Sequence, residues 1–343
     1  MISSLPRPQL TIVSNADENF FPGLAVAVSS AVAAASGDYD YQFLILDGGL
    51  AVNSFSQLQK AVKMIGAKKG ITVTLERLKV DQSRLLALPK RRGSRMTYAK
   101  LVLPEILPHL DSIIYLDADV LCFIGLEKVH APVRESHWLL AGAQDFFAVI
   151  QKDCPWLDQV PTAEQMLPYI NCGVMWMNLR GLREMNFTEK AITARASILH
   201  ARQGDQSVFN FLCRGKSYIL PAEVNHRTSI GATRPLCEGN FQLNLHYIGS
   251  PKPWLGSPKT SNWLAHQLWH QAREALFPDA EKRSAAPPPH DESKIWNKSL
   301  LYSFTNPTRA AHYRSDLRSL SDPGQVLEKA AAYWAGFNSH QPS

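Results

Sequence analysis

Two carboxylates close the run Ile113-Ile114-Tyr115-Leu116-Asp117-Ala118-Asp119. An apolar, β-branched run of this kind reads as a buried strand, and it delivers Asp117 and Asp119 at its carboxyl end. In extended backbone, residues i and i+2 face the same side. The two carboxylates can then hold one hard divalent cation and leave its other positions to water and phosphate oxygens. Such a cation offsets the charge that builds on a departing diphosphate. The competing reading is a solvated Asp-x-Asp turn, and the tripeptide alone does not separate the two.

Four further segments bear on that choice. Arg95-Met96-Thr97-Tyr98-Ala99-Lys100-Leu101 precedes Leu103-Pro104-Glu105-Ile106-Leu107-Pro108. Tyr169-Ile170-Asn171-Cys172-Gly173-Val174 leads into Met177-Asn178-Leu179-Arg180. Gly204-Asp205-Gln206-Ser207-Val208-Phe209-Asn210 precedes Leu220-Pro221 and Asn225. Leu245-His246-Tyr247-Ile248-Gly249 is followed by Lys252-Pro253-Trp254. Together, and in this order, these segments resemble the glycosyltransferase family that contains glycogenin and the bacterial lipopolysaccharide galactosyl- and glucosyltransferases, glycosyltransferase family 8. The resemblance runs from about Thr11 to Trp254. It implies the GT-A fold, a single Rossmann-like nucleotide-sugar domain. It also implies a donor that is UDP-glucose or UDP-galactose, a Mn²⁺ ion with Mg²⁺ as the alternative, and retention of anomeric configuration in transfer to a saccharide or glycolipid acceptor.

Carried over residue by residue, the resemblance makes Asp117 and Asp119 metal ligands, with Ala118 between them in the donor-binding turn, and His246 the third ligand. A neutral imidazole beside carboxylates suits Mn²⁺ better than Mg²⁺. Lys252 matches a lysine that contacts the donor diphosphate, where a cation stabilises departing UDP, and Gly249 lets the backbone approach a phosphate. Asp17, Asn19 and Phe20 match the uridine-binding loop. Relatives often carry tyrosine where this chain has Phe20, so the ring can stack but the hydroxyl is lost; a turn-forming Asp/Asn cluster is the other reading of this loop. Lys100 falls where several relatives carry arginine, and it keeps the charge without the bidentate fork; a helix-surface lysine is the alternative. Asp145 and Asn171 match sugar-binding groups. Asp205 and Gln206 match the pair beside the anomeric carbon, where Asp205 could equally cap a helix. Trp263 and Trp269 read as core.

Retention requires either two inversions or same-face attack. Double displacement needs a nucleophile opposite UDP, and the amide of Gln206 is a poor one, which favours same-face substitution. Two alternatives stay open. A self-glucosylating, glycogenin-like enzyme needs an acceptor tyrosine, for which Tyr302 and Tyr313 are candidates. A non-catalytic sugar-nucleotide-binding protein would be expected to lose ligands that this chain retains.

These residues must be positioned by alternating strands and helices. Leu10–Ser14, Gln42–Leu46, Ile71–Leu75 and Ser112–Leu116 read as strands. Helices are expected from about Pro22, over Ser54–Ile65 and over Tyr98–Leu107. Such alternation predicts an α/β fold with a mostly parallel sheet covered on both faces. Ligands then bind outside the carboxyl ends of the strands, so the loops after Val13, Leu46 and Leu116 are expected to form the site. Beyond Asp119 the alternation weakens: Tyr169–Leu179, Ser217–Leu220 and Leu243–Tyr247 read as strands and Thr188–Ala201 as a helix. Residues 1–282 are assigned to the catalytic domain, 283–293 with Pro287-Pro288-Pro289 to a stiff linker, and 294–343 to a small helical C-terminal extension.

The 343 residues are 45% hydrophobic and 19% charged, an ordinary globular composition with a net charge of +6. A mild basic excess suits anionic partners such as nucleotide phosphates, and without an arginine-rich run it gives no case for nucleic acid. Cys122, Cys154, Cys172, Cys213 and Cys237 form no metal-type pair and read as reduced thiols of a cytoplasmic protein. No signal peptide or transmembrane segment is expected; Pro22–Ala35 reads as a buried helix. The extension interleaves Lys294, Lys298, Arg309, Arg314, Arg318 and Lys329 with Trp296, Tyr302, Phe304, Tyr313, Trp334 and Phe337. It either lies peripherally on an anionic inner-membrane face or packs its rings onto the catalytic domain, the reading preferred because Asp316, Asp322 and Glu328 interrupt the basic face.

Overall fold

The computed structural model describes residues 6–90, 94–145, 167–197, 203–228, 241–255, 263–278, 300, 303 and 323–339. Strands β1 (Gln9–Ala16), β2 (Asp40–Asp47) and β3 (Val73–Lys79) alternate with helices α1 (Phe21–Ala33) and α2 (Val52–Lys69). They join β4 (Ser112–Leu116), β6 (Leu140–Gln144), β7 (Ile170–Asn178) and β8 (Ser217–Leu220) in a seven-stranded sheet of order β3-β2-β1-β4-β7-β6-β8. Neighbours are parallel except where β7 runs antiparallel between β4 and β6. Side-chain alternation splits the core. Ile12, Phe43, Ile45 and Ile114 face α1 and α2, while Val13, Leu44, Leu46 and Tyr115 face the layer of Tyr98, Leu101 and Phe209. Burial on both faces explains why these strands read as near-continuous apolar runs.

Local chemistry sets the ends of the elements. Pro22 opens α1, whose missing N–H costs nothing in a first turn, and Gly70 closes α2 in the left-handed conformation. The stretch expected to be a helix over Tyr98–Leu107 is a 3-10 helix, Met96–Val102, that becomes one α-helical turn, α3 (Leu103–Ile106), at Pro104.

A second, three-stranded sheet pairs β5 (Val120–Cys122) antiparallel with β10 (Asn244–His246), which in turn runs parallel to β9 (His226–Arg227). Helix α4 (Glu127–His130) follows β5; α5 (Leu179–Glu184), α6 (Phe187–Ser197) and α7 (Asp205–Leu212) follow β7. Helix α8 (Trp263–Leu276) covers α1, and α9 (Pro323–Ser339) packs on α8. Within α9, Val326, Ala330 and Trp334 are buried, and Trp334 and Tyr333 lie 5.5 and 5.3 Å from Phe123. Those two rings are therefore spent on the catalytic core. The rest of the proposed extension, apart from residues 300 and 303, lies outside the described residues, as does the whole Pro-rich stretch. Among the described residues no helix is long and apolar enough to cross a membrane. Cys122, Cys172 and Cys213 are free, buried thiols; Cys154 and Cys237 lie outside the described residues.

Candidate active site

The strand expected to hold both carboxylates ends at Leu116, so Asp117-Ala118-Asp119 form a tight turn between β4 and β5 and not an extended segment. The turn is held from two sides: Asp117 N–H donates to the Gly173 carbonyl at 2.7 Å, and Tyr247 N–H to the Asp119 carbonyl at 2.9 Å. The β5–β10 register sets His246 opposite Val120. A residue distant in sequence thereby reaches the turn, and Asp117, Asp119 and His246 each offer a ligand atom within 4.8 Å of the others. Gly173 makes room for the ring: a Cβ there would lie 2.2 Å from His246 Cε1. Two carboxylates and an imidazole that converge in this way could hold a divalent metal ion.

Two buried lysines flank the carboxylates. Lys252 Nζ donates to Asp119 Oδ2 and, at 2.6 Å, to the Tyr247 carbonyl. Lys100 Nζ lies 3.3 Å from Asp117 Oδ1 and 2.9 Å from Asp205 Oδ2, over the Tyr115 ring at 4.1 Å. Lys100 is only 4% exposed, so it is no helix-surface lysine. Burial raises the Asp117 carboxyl above its ordinary range, with the Asp119 charge adding to it against the pull of Lys100. Burial acts on Asp119 as well, but the Lys252 charge beside it outweighs burial and holds that carboxyl well below the usual range. Two carboxylates so close repel each other, and a cation between them relieves that repulsion.

These groups lie around a cavity of about 320 Å³, the size of a small-molecule site. Asn15, Ala16, Asp17 and Phe20 line it from the loop after β1, and Ile248, Gly249 and Lys252 from the loop after β10. The loop after β2 contributes none of the lining, contrary to expectation. Asp47 instead accepts the Gly49 and Leu50 N–H groups and pairs with Arg77, which folds that loop on itself.

Residues 11–257 match the family described as Glycosyl transferase family 8. The chain belongs to this family. It is 26% identical over 267 residues to a lipopolysaccharide 1,2-glucosyltransferase of Escherichia coli strain K12, covering 71% of this chain and 72% of the relative. It is 23% identical over 252 residues to a putative glycosyltransferase of Haemophilus influenzae, covering 71% and 73%. The fold is similar to that of the galactosyltransferase LgtC, solved with donor and acceptor sugar analogues, with a TM-score of 0.63 and 22% identity over 79% of this chain and 98% of that one. The fold is the GT-A fold of that neighbour.

Within this glycosyltransferase, most residues picked from the sequence converge. Asp17, Phe20, Lys100, Asp117, Ala118, Asp119, Asn171, Asp205, Gln206, His246, Gly249 and Lys252 all line the cavity. Asp145 stands just behind it, buried, with Oδ2 accepting from Asn171 Nδ2 at 3.2 Å and Gln206 Nε2 at 2.7 Å. Asn19 is exposed and not among the lining residues; its carbonyl accepts from Trp254 Nε1 at 3.0 Å, which ties the Lys252 loop to the β1 loop. The turn reading and the binding reading of Asp17 both have support, because its carboxylate accepts the Phe20 N–H at 3.0 Å while it faces the cavity. Gly249 adopts φ +79°, a conformation that favours glycine. Trp269 is buried and Trp263 partly buried against the core. Tyr302 and Tyr313 lie outside the described residues.

Sequence reasoning did not single out Asn15, Tyr115 and Thr97 as lining residues. Thr97 Oγ1 donates to Asp205 Oδ1 at 3.1 Å, and Asn15 Nδ2 to the Met96 carbonyl at 2.7 Å. A polar residue at the end of an apolar strand was the available signal for Asn15. The thiol of Cys172 lines the cavity too, but burial pushes it far above its ordinary range, so it is no nucleophile.

Proposed function

We propose that this chain transfers a hexose from UDP-glucose or UDP-galactose to a saccharide or glycolipid acceptor, with retention of configuration and with Mn²⁺. The observation that carries the reading is the convergence of Asp117, Asp119 and His246 beside Lys252 in one cavity. Those three side chains would hold the ion, which when bound supplies charge stabilisation to a departing diphosphate. Phe20 offers a face for uracil, and Gly249 lets the diphosphate approach the backbone. Asn171 lines the cavity where the sugar hydroxyls would lie, with Asp145 hydrogen-bonded behind it. Lys252 adds a positive charge on the leaving side, where negative charge grows as the glycosidic bond breaks.

Same-face substitution is the mechanism these side chains favour. Double displacement would ask Gln206 to attack, yet its Oε1 accepts the Cys172 N–H at 3.2 Å and its Nε2 is bound to Asp145. Asp205 is engaged by Thr97 and Lys100, so it orients and neutralises. The acceptor hydroxyl then attacks on the face that UDP leaves, and a phosphate oxygen of UDP takes its proton. The relatives' lipopolysaccharide acceptors suggest a glycolipid built on the cytoplasmic side of the inner membrane. Tyr333 and Trp334 of α9 pack against Phe123, so any peripheral membrane contact would rest on other residues of the extension.

A panel of UDP-sugars with Mn²⁺, scored for UDP release with and without EDTA, tests the reading. Release from UDP-glucose or UDP-galactose, abolished by EDTA and restored by Mn²⁺, is the expected result; full activity in EDTA overturns it.

A further inference from the structure

A string of buried side chains runs from His246 through two amides to Asp145. His246 Nδ1 lies 3.0 Å from Asn225 Oδ1, and Asn225 Nδ2 is 2.9 Å from Asn171 Oδ1. Asn171 Oδ1 also accepts the Gly173 N–H at 3.0 Å, and Asn171 Nδ2 donates to Asp145 Oδ2 at 3.2 Å. Asp145 Oδ1 faces Arg227 Nη1 at 3.6 Å. All of these residues are buried, and Asn225 completely so.

The polarity of this string has one solution. A carboxylate only accepts hydrogen bonds, so Asp145 turns the NH₂ group of Asn171 towards itself. Asn171 must then present its oxygen to Gly173 and Asn225, a choice the Gly173 N–H enforces a second time. Asn225 accordingly donates to Asn171 and presents its own oxygen to His246. An oxygen at Nδ1 requires a proton on that nitrogen. The lone pair of the neutral ring then falls on Nε2, which lies 3.3 Å from Asp119 Oδ1 and 3.8 Å from Asp117 Oδ2.

We propose that Asn225 is a positioning residue that ends a relay polarised by Asp145 and holds His246 as the Nδ1–H tautomer, its Nε2 free for the cation. The proposal rests on the reading of His246 as a ligand. Partners of this kind usually change metal affinity by about 10- to 100-fold when removed. The relay also joins the carboxylate of Asp145 to the cation-side imidazole.

The test is ring ¹⁵N–¹H NMR of protein labelled in histidine, with His246 identified by the signal lost in His246→Gln, together with Mn²⁺ titration followed by electron paramagnetic resonance. Wild type should show the Nδ1–H tautomer. Asn225→Leu, similar in size without an acceptor, should show mixed tautomers and bind Mn²⁺ about 10- to 100-fold more weakly. If Asn225→Leu fails to fold, Asn225→Ala serves in its place, because it removes the same acceptor. Wild-type tautomer and Mn²⁺ affinity in the variant that folds overturn the relay. Unchanged Mn²⁺ affinity in His246→Gln instead overturns the ligand reading on which it stands.

Discussion

At the scale of single residues, the site is a balance of charges around one cavity. Three carboxylates, Asp117, Asp119 and Asp205, face Lys100 and Lys252 across distances of a hydrogen bond or little more. Removing one member leaves another exposed to a low dielectric. Asp119→Ala should lower the rate of transfer by about 10³-fold or more, since an unshielded diphosphate is a poor leaving group; single-turnover kinetics with UDP-sugar measure it. For Lys252→Ala the charge it meets is largest in the transition state. We expect kcat to fall by about 10²-fold while KM moves little; a raised KM with unchanged kcat contradicts this role. The carboxylate pair was legible in the sequence because both members sit within three residues at a strand end. Asn225 as a partner of His246 was not, because nothing local links a buried asparagine to an imidazole 21 positions away.

At the scale of elements, the apolar β-branched strands β1, β2 and β4 announce themselves, while β6, Leu-Ala-Gly-Ala-Gln, does not. Its small residues suit a central strand packed closely against β7, where a Cβ at Gly142 would crowd Ile170, but they carry no strand signal. Tyr98–Leu107 reads as a single helix although it spans most of the 3-10 segment Met96–Val102 and the α-helical turn Leu103–Ile106, because both periods bury the same few positions. Two loops are joined by one contact that no pattern shows: Trp254 lies so close to Gly23 of α1 that a Cβ there would be 2.3 Å from the indole and 2.6 Å from the Ala118 carbonyl. Gly23→Ala should therefore disturb the Lys252 loop and the Asp117–Asp119 turn together. We expect a loss of about 1–3 kcal/mol in stability, read by urea unfolding, with a fall in kcat larger than for an alanine placed elsewhere on α1.

At the scale of the whole molecule, stability and assembly depend on the last third of the chain. His266 of α8 is buried, and desolvation, aided by the charges of His270 and Lys252, pushes it down to about 4 from 6.5. Above pH 6.5 the ring is neutral in folded and unfolded chains alike, and its full contribution is present. Between 6.5 and 4 the unfolded chain binds a proton that the folded one refuses, so stability falls as pH falls, by at most about 1.4 kcal/mol per unit. Urea unfolding at pH 7, 6 and 5 should show this slope, and His266→Phe should flatten it. Trp334→Ala should cost about 3–5 kcal/mol, seen as a lowered melting temperature, because α9 closes the core over Phe123. The pairing of β5 with β10 has a consequence for synthesis. All seven strands of the main sheet are complete by Leu220, but the third candidate ligand arrives only with His246. A ribosome-bound chain can thus make the whole main sheet before the third candidate ligand exists, and if His246 is a ligand, activity has to wait until β10 pairs beside residues made over a hundred positions earlier.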